Sequence, residues 1–257
     1  MSENLGVKGL LEGQLALITG AGSGIGRAIA MAFAASGARV VLTDLVATEC
    51  DRHAAQIRAQ SGRAWARALD VTDAAACAEC AIAIGTELGD IDVLVNSAGI
   101  LVREGINSAR APEYIRRVMD VNYFGSFNTM HAWLGALRRS RGCIINIASG
   151  AAFVAQAGCI GYSSSKAALR MLTQTMAVDL ARDGIRVNGL APGVIETPMT
   201  EATRSDPALL APFLRRTPMG RVGQPDEVAS AALFLASHLA SYVNGITLPV
   251  DGGLLAT

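Results

Sequence analysis

The run Thr19-Gly20-Ala21-Gly22-Ser23-Gly24-Ile25-Gly26 constrains this chain more than any other, because it directly follows the apolar segment Leu15–Thr19 and opens a helical stretch from Arg27 to Ala35. A strand, a glycine-rich turn and a helix in that order begin a βαβ unit. Glycines there let the backbone turn tightly and approach a pyrophosphate, whose charge meets the helix N-terminus. Gly20, Gly24 and Gly26 give the spacing Gly-x-x-x-Gly-x-Gly, with Ser23 and Ile25 between them. That differs from the Gly-x-Gly-x-x-Gly dinucleotide fingerprint, so the turn by itself leaves a purely structural role open.

The strand–helix alternation continues along the chain. Leu15–Thr19, Arg39–Thr43, Ala64–Leu69, Ile91–Val95, Cys143–Ala148, Ile185–Leu190 and Ile246–Val250 are the strand candidates, separated by Ala-rich helical segments. Their apolar character at both alternating positions suits strands covered on both faces. The third is ambiguous, since Ala64-Trp65-Ala66-Arg67-Ala68-Leu69 also suits a helix extension. The pattern predicts one α/β domain over residues 1–257: a doubly wound Rossmann-type fold with a seven-stranded parallel sheet and helices on both faces. One segment departs from it. Between Pro192 and Pro225 fall Pro198, Pro207, Pro212, Pro218 and Gly220, so helices there must be short, as in a substrate flap at about 193–222 or an ordered surface excursion.

Several function classes are disfavoured. With 22 Lys+Arg against 22 Asp+Glu there is no basic field for nucleic acid. Met1–Leu11 carries Glu3 and Lys8 and lacks a secretory h-region, and no uncharged apolar run reaches the roughly 18–20 residues that cross a bilayer. A cytoplasmic protein without a membrane partner is expected. The cysteines at 50, 77, 80, 143 and 159 read as reduced thiols; Cys77 and Cys80 have metal or redox spacing but lie in a helical Ala-rich stretch without a second pair. His53, His131 and His238 are dispersed, and no metal site is expected.

The strand ends carry polar residues in order. Asp44, ending the second strand, is placed to accept hydrogen bonds from a ribose hydroxyl pair and to repel a 2′-phosphate, which favours NAD over NADP. Ser23, where an Arg would serve a phosphate, agrees. Asp70-Val71 follows the third strand and Asn96-Ser97-Ala98-Gly99 the fourth, at the C-terminal edge where open α/β sheets bind ligands. Tyr162 and Lys166 share one helix face, and a cation beside a phenol favours the phenolate needed for acid–base work near neutral pH.

With these pieces in order, and with Ser149 thirteen residues before Tyr162, the chain resembles the short-chain dehydrogenase/reductase family over nearly its whole length. The matching residues are Thr19–Gly26, Asp70, Asn96–Gly99, Asn122, Ser149, Tyr162-x-x-x-Lys166, Pro192-Gly193 with Thr197, and the terminal Pro249–Gly253. Ser97, where Asn is more usual, is the one mild departure. The resemblance implies NAD as cofactor and a catalytic set of Ser149, Tyr162, Lys166 and Asn122. Tyr162 would exchange the substrate hydroxyl proton while Ser149 holds the same oxygen. Lys166 would lower the tyrosine pKa and bind the nicotinamide ribose, and Asn122 would support a water relay. Pro192, Gly193, Ile195 and Thr197 would meet the nicotinamide. Gly150, Gln156, Cys159, Met199 and Phe213 are expected to line the substrate pocket, which suits a polyol, sugar or alicyclic alcohol and its ketone. Arg103, Arg215 and Arg216 could reach an anionic substrate, although such arginines are commonly solvated. The family also commonly forms homotetramers. The competing readings are a 3-oxoacyl thioester reductase, a nucleotide-sensing protein without turnover, and an oligomerisation module.

Overall fold

A computed structural model describes residues 9–257. Its elements alternate as β1 (Leu15–Thr19), α1 (Gly24–Ala35), β2 (Arg39–Asp44), α2 (Ala47–Ala59), β3 (Arg63–Ala68), α3 (Ala74–Leu88) and β4 (Val93–Asn96). They continue with α4 (Ala111–Met119), α5 (Gly125–Ser140), β5 (Cys143–Ile147), α6 (Ile160–Leu180), β6 (Arg186–Pro192), α7 (Glu201–Arg204), α8 (Pro207–Arg216), α9 (Pro225–Ala236) and β7 (Thr247–Val250). The seven strands form one parallel sheet in the order β3-β2-β1-β4-β5-β6-β7.

Alternating side chains of each strand enter different cores. Ile18, Val40, Val95 and Ile145 face a layer containing Ile29 and Phe33 of α1 and Val228 and Leu233 of α9. Leu17, Val41, Leu94, Ile144 and Val187 face the opposite layer, with Ile84 of α3, Trp133 and Leu137 of α5, and Leu169 of α6. Every residue of β1, β4 and β5 is buried, as strands sandwiched by helices require.

The ambiguous third segment is a strand, paired with β2 from Arg39 opposite Arg63 to Asp44 opposite Ala68. Helix α2 stops before it because Ser61 adopts a positive φ of 66° and a side chain at Gly62 would strike Ile57. Arg58 then donates to the Ala64 carbonyl at 2.8 Å and ties the helix end to the strand. Between α4 and α5 the helix widens into a π-helical turn, Asp120–Phe124, which places Asn122 in the interior. The proline-rich excursion after β6 contains a 3₁₀ turn, Pro198–Thr200, and then α7 and α8, all of them short.

Candidate active site

The chain leaves β1 toward β2 and β3 and then returns to β4 on the other side, so β1 and β4 are neighbours whose connections diverge. Such a switch point opens a crevice beyond the strand ends. Here it is a cleft of about 1030 Å³.

The glycine turn forms its floor. Thr19 Oγ1 accepts hydrogen bonds from the Ser97 and Ala98 N–H groups, at 3.1 Å each, and so binds the turn after β1 to the segment after β4. A Cβ at Gly20 would lie 2.8 Å from the Ala98 backbone, and one at Gly26 would lie 2.2 Å from the Gly20 carbonyl oxygen. These contacts require glycine and leave backbone at the surface of the cleft. At its side, both Asp44 carboxylate oxygens are engaged: Oδ2 accepts the Gly22 N–H at 3.0 Å and Oδ1 the Leu45 N–H at 2.8 Å. Asp70 accepts from the N–H and hydroxyl of Thr72, which fixes the turn after β3.

Tyr162 and Lys166 reach the far end of the cleft from the first turns of α6, and Ser149 reaches it from the end of β5. Ser149 Oγ accepts the Ala151 N–H at 3.1 Å and starts a 3₁₀ turn, Gly150–Ala152. Lys166 is buried and donates to the Ile147 carbonyl at 2.7 Å; its Nζ lies 5.9 Å from the centre of the Tyr162 ring. Burial lowers the lysine pKa to about 8. Burial also raises the Tyr162 pKa; the Ser149 hydroxyl opposes that rise, Cys159 adds to it and the Arg103 guanidinium opposes it. Lys166 stands one turn along α6 from the phenol. Its ammonium is turned to the Ile147 carbonyl, and desolvation governs the phenol.

Asn122 stands behind the lysine. Its side-chain amide donates to the Ile100 carbonyl at 3.0 Å and to Ser165 Oγ at 2.9 Å, and its carbonyl accepts the Ile100 N–H at 2.8 Å. One side chain thus joins the segment after β4, the π-helical turn and α6.

Gly20, Ser23, Gly24, Ile25, Gly26, Asp44, Asp70, Val71, Ala98 and Gly99 all line the cleft, as do Pro192, Gly193, Ile195 and Thr197. Asn96 does not: its amide donates to Asn146 and its carbonyl accepts from Thr129, both inside the core. Of the expected substrate-pocket residues only Met199 lines the cleft. Gly150 lies behind Ser149, packed toward Pro192 and Leu254. Cys159 is fully buried and accepts a long contact from Arg103 at 3.9 Å, Gln156 is half-buried outside the cleft, and Phe213 lines a separate cavity of about 300 Å³ with Leu214 and Met219. Gly150, Gln156 and Cys159 flank Ser149 and Tyr162 in sequence and Phe213 belongs to the expected flap, but nearness along the chain does not bring them to the cleft, and α8 turns Phe213 to the separate cavity. Arg103 is not free: it also donates to Thr203 Oγ1 at 2.7 Å, bridging the segment after β4 to α7. Thr19 opens the glycine run expected from the sequence, whereas Ile100, which lines the cleft, carries no sequence signal.

Among the described residues there is no group of three His, Cys, Asp or Glu suited to a metal ion, and no helix is long and apolar enough to cross a membrane.

A parallel sheet with a glycine-floored cleft at its switch point, closed at one end by Ser149, Tyr162 and Lys166, is the architecture of a nucleotide-dependent oxidoreductase. The chain belongs to the short-chain dehydrogenase/reductase family. A family model described as Enoyl-(Acyl carrier protein) reductase matches residues 20–255. Galactitol 2-dehydrogenase (L-tagatose-forming) of Cereibacter sphaeroides is 44% identical over 249 residues, covering 95% of each chain. The 3-oxoacyl-[acyl-carrier-protein] reductase of Thermotoga maritima is 39% identical over 246 residues, covering 95% of this chain and 99% of the relative. Among solved structures, a gluconate 5-dehydrogenase from Burkholderia cenocepacia in complex with NADP and tartrate superposes with a TM-score of 0.93 at 39% identity, covering 98% of this chain and 99% of that one.

Proposed function

We propose that this chain is an NAD-dependent dehydrogenase that moves hydride between a secondary alcohol, of the polyol or sugar type, and the nicotinamide, with Tyr162 as general acid and base. The observation that carries the reading is a single cleft with Ser149, Tyr162 and Lys166 at one end and Asp44 beside the glycine floor at the other. The site fits a dinucleotide, since the close approaches at Gly20 and Gly26 leave backbone where a Cβ would stand.

When bound, the nicotinamide supplies the hydride acceptor. Tyr162 takes the hydroxyl proton of the alcohol as the C–H pair departs, and returns it to the carbonyl oxygen in the reverse direction. Ser149 donates to the same oxygen and stabilises the charge that develops there. Lys166 holds the ribose next to the nicotinamide, and Asn122 keeps α6 in register with the segment after β4. Asp44 favours NAD, because a 2′-phosphate would meet a carboxylate whose charge has no cationic partner in its hydrogen bonds. The galactitol and gluconate relatives support the substrate class.

A 3-oxoacyl thioester reductase is the second reading, favoured by the Thermotoga maritima relative and opposed by Asp44. A homotetramer is also proposed, since Phe127, Met171 and Val178 are exposed on α5 and α6. The test is absorbance of reduced nicotinamide with NAD or NADP and a panel of polyols, sugar acids, cyclic alcohols and hydroxyacyl thioesters. NAD-linked oxidation of a polyol or sugar is expected, and turnover confined to thioesters with NADPH would replace this reading by the second. Tyr162→Phe should keep NAD binding and lose at least about 100-fold in rate, the lower range for a proton-transfer group; near-normal turnover would remove the acid–base assignment.

A further inference from the structure

His53 lies in α2, outside the cleft, and is 4% exposed. Its Nε2 is 3.1 Å from the Gly22 carbonyl oxygen, while Nδ1 is buried without a hydrogen-bond partner among the described residues. The nearest carboxylate, Glu49, is 3.9 Å from Nε2, beyond hydrogen-bond range. A carbonyl only accepts, so the bond requires the proton on Nε2. Burial lowers the imidazole pKa and keeps this neutral form at pH 7.

We propose that His53 is a positioning residue of the nucleotide site: it pins the Gly22 carbonyl so that the Gly22 N–H stays on Asp44, and the carboxylate stays aimed at a free ribose hydroxyl pair. Gly22 is held at both ends, its N–H by Asp44 Oδ2 at 3.0 Å and its carbonyl by His53. The fit is close, since a Cβ at Gly22 would lie 2.8 Å from Asp44 Oδ2. A histidine buried with one nitrogen unpaired is costly in a core, and the bond to the turn is its one polar return. The inference rests on the reading that Asp44 binds the ribose of NAD.

Calorimetric titration of NAD and NADP into wild type, His53→Leu, His53→Gln and Asp44→Ala separates the two ideas. His53→Leu should raise the Kd for NAD about three- to tenfold, the range one net hydrogen bond supplies. The Kd for NADP, which has no free 2′-hydroxyl to offer Asp44, should change by less than about twofold, within the scatter of such a difference. His53→Gln, whose amide nitrogen reaches the place of Nε2, should restore NAD affinity. An equal loss for both nucleotides, or none, would overturn the positioning role. If His53→Leu does not fold, His53→Asn, polar but too short to reach Gly22, makes the same comparison. Asp44→Ala with unchanged preference would instead overturn the ribose assignment.

Discussion

An ammonium removed from water destabilises a fold unless its partners restore what hydration gave, and among the described residues Lys166 has one hydrogen-bond partner, the Ile147 carbonyl. Its pKa falls from 10.5 to about 8 through burial. Between those values the unfolded chain keeps a proton that the folded chain has released, so stability rises with pH across that window and the full penalty applies below about 8. The penalty is on the order of 3 kcal/mol at pH 7. Lys166→Met, which also leaves the Ile147 carbonyl unpaired, should therefore be about 1–2 kcal/mol more stable than wild type to urea at pH 7 while losing turnover. As pH rises from 8 toward 10.5 the wild type recovers the whole penalty, so the gap should close and then reverse, because the variant keeps its unpaired carbonyl. A variant less stable at every pH would show that Lys166 supports the fold rather than burdening it. The spacing of Tyr162 and Lys166 was legible in the sequence. The direction of their shifts was not, because it depends on burial by β5 and the segment before α6, which no local pattern reports.

At the scale of elements, hydrophobic periodicity located all seven strands to within two residues at most of their ends, since strands covered on both faces leave long apolar runs. It did not disclose the π-helical turn at Asp120–Phe124, because one extra residue in a helix barely disturbs the apolar pattern. That turn matters because it directs Asn122 inward, where three hydrogen bonds join it to Ile100 and Ser165. Asn122→Ala would leave the Ile100 N–H and carbonyl without this partner in a part-buried place, a loss of about 2–6 kcal/mol at 1–3 kcal/mol per stranded group. Urea unfolding would measure it, and a loss below about 0.5 kcal/mol, the size of an ordinary surface change, would mean that water replaces the amide. The misplaced pocket residues belong to this scale too. Cys159 is close in sequence to Tyr162 and Phe213 belongs to the expected flap, but the entry to α6 sends the first into the core and α8 sends the second to a separate cavity.

For the whole molecule, strand–helix alternation specified a parallel sheet, whereas the order β3-β2-β1-β4-β5-β6-β7 depends on pairings between distant segments that the alternation leaves open. That order brings β1 beside β4 and makes the cleft a seam: the glycine floor and Asp44 come from the first half of the chain, and Ser149, Tyr162, Lys166 and Thr197 from the second. A dinucleotide lying along it would touch both halves and bind only the folded chain. At a hundred times its Kd such a ligand stabilises by about 2.7 kcal/mol. For a chain of this length that corresponds to a rise in melting temperature of roughly 5–10 °C. NAD at a fixed millimolar concentration should give this rise and NADP a smaller one, with Asp44→Ala bringing the two together. Equal shifts with both nucleotides in wild type would mean that the adenosine ribose is read by groups other than Asp44, whatever the reaction at the Tyr162 end.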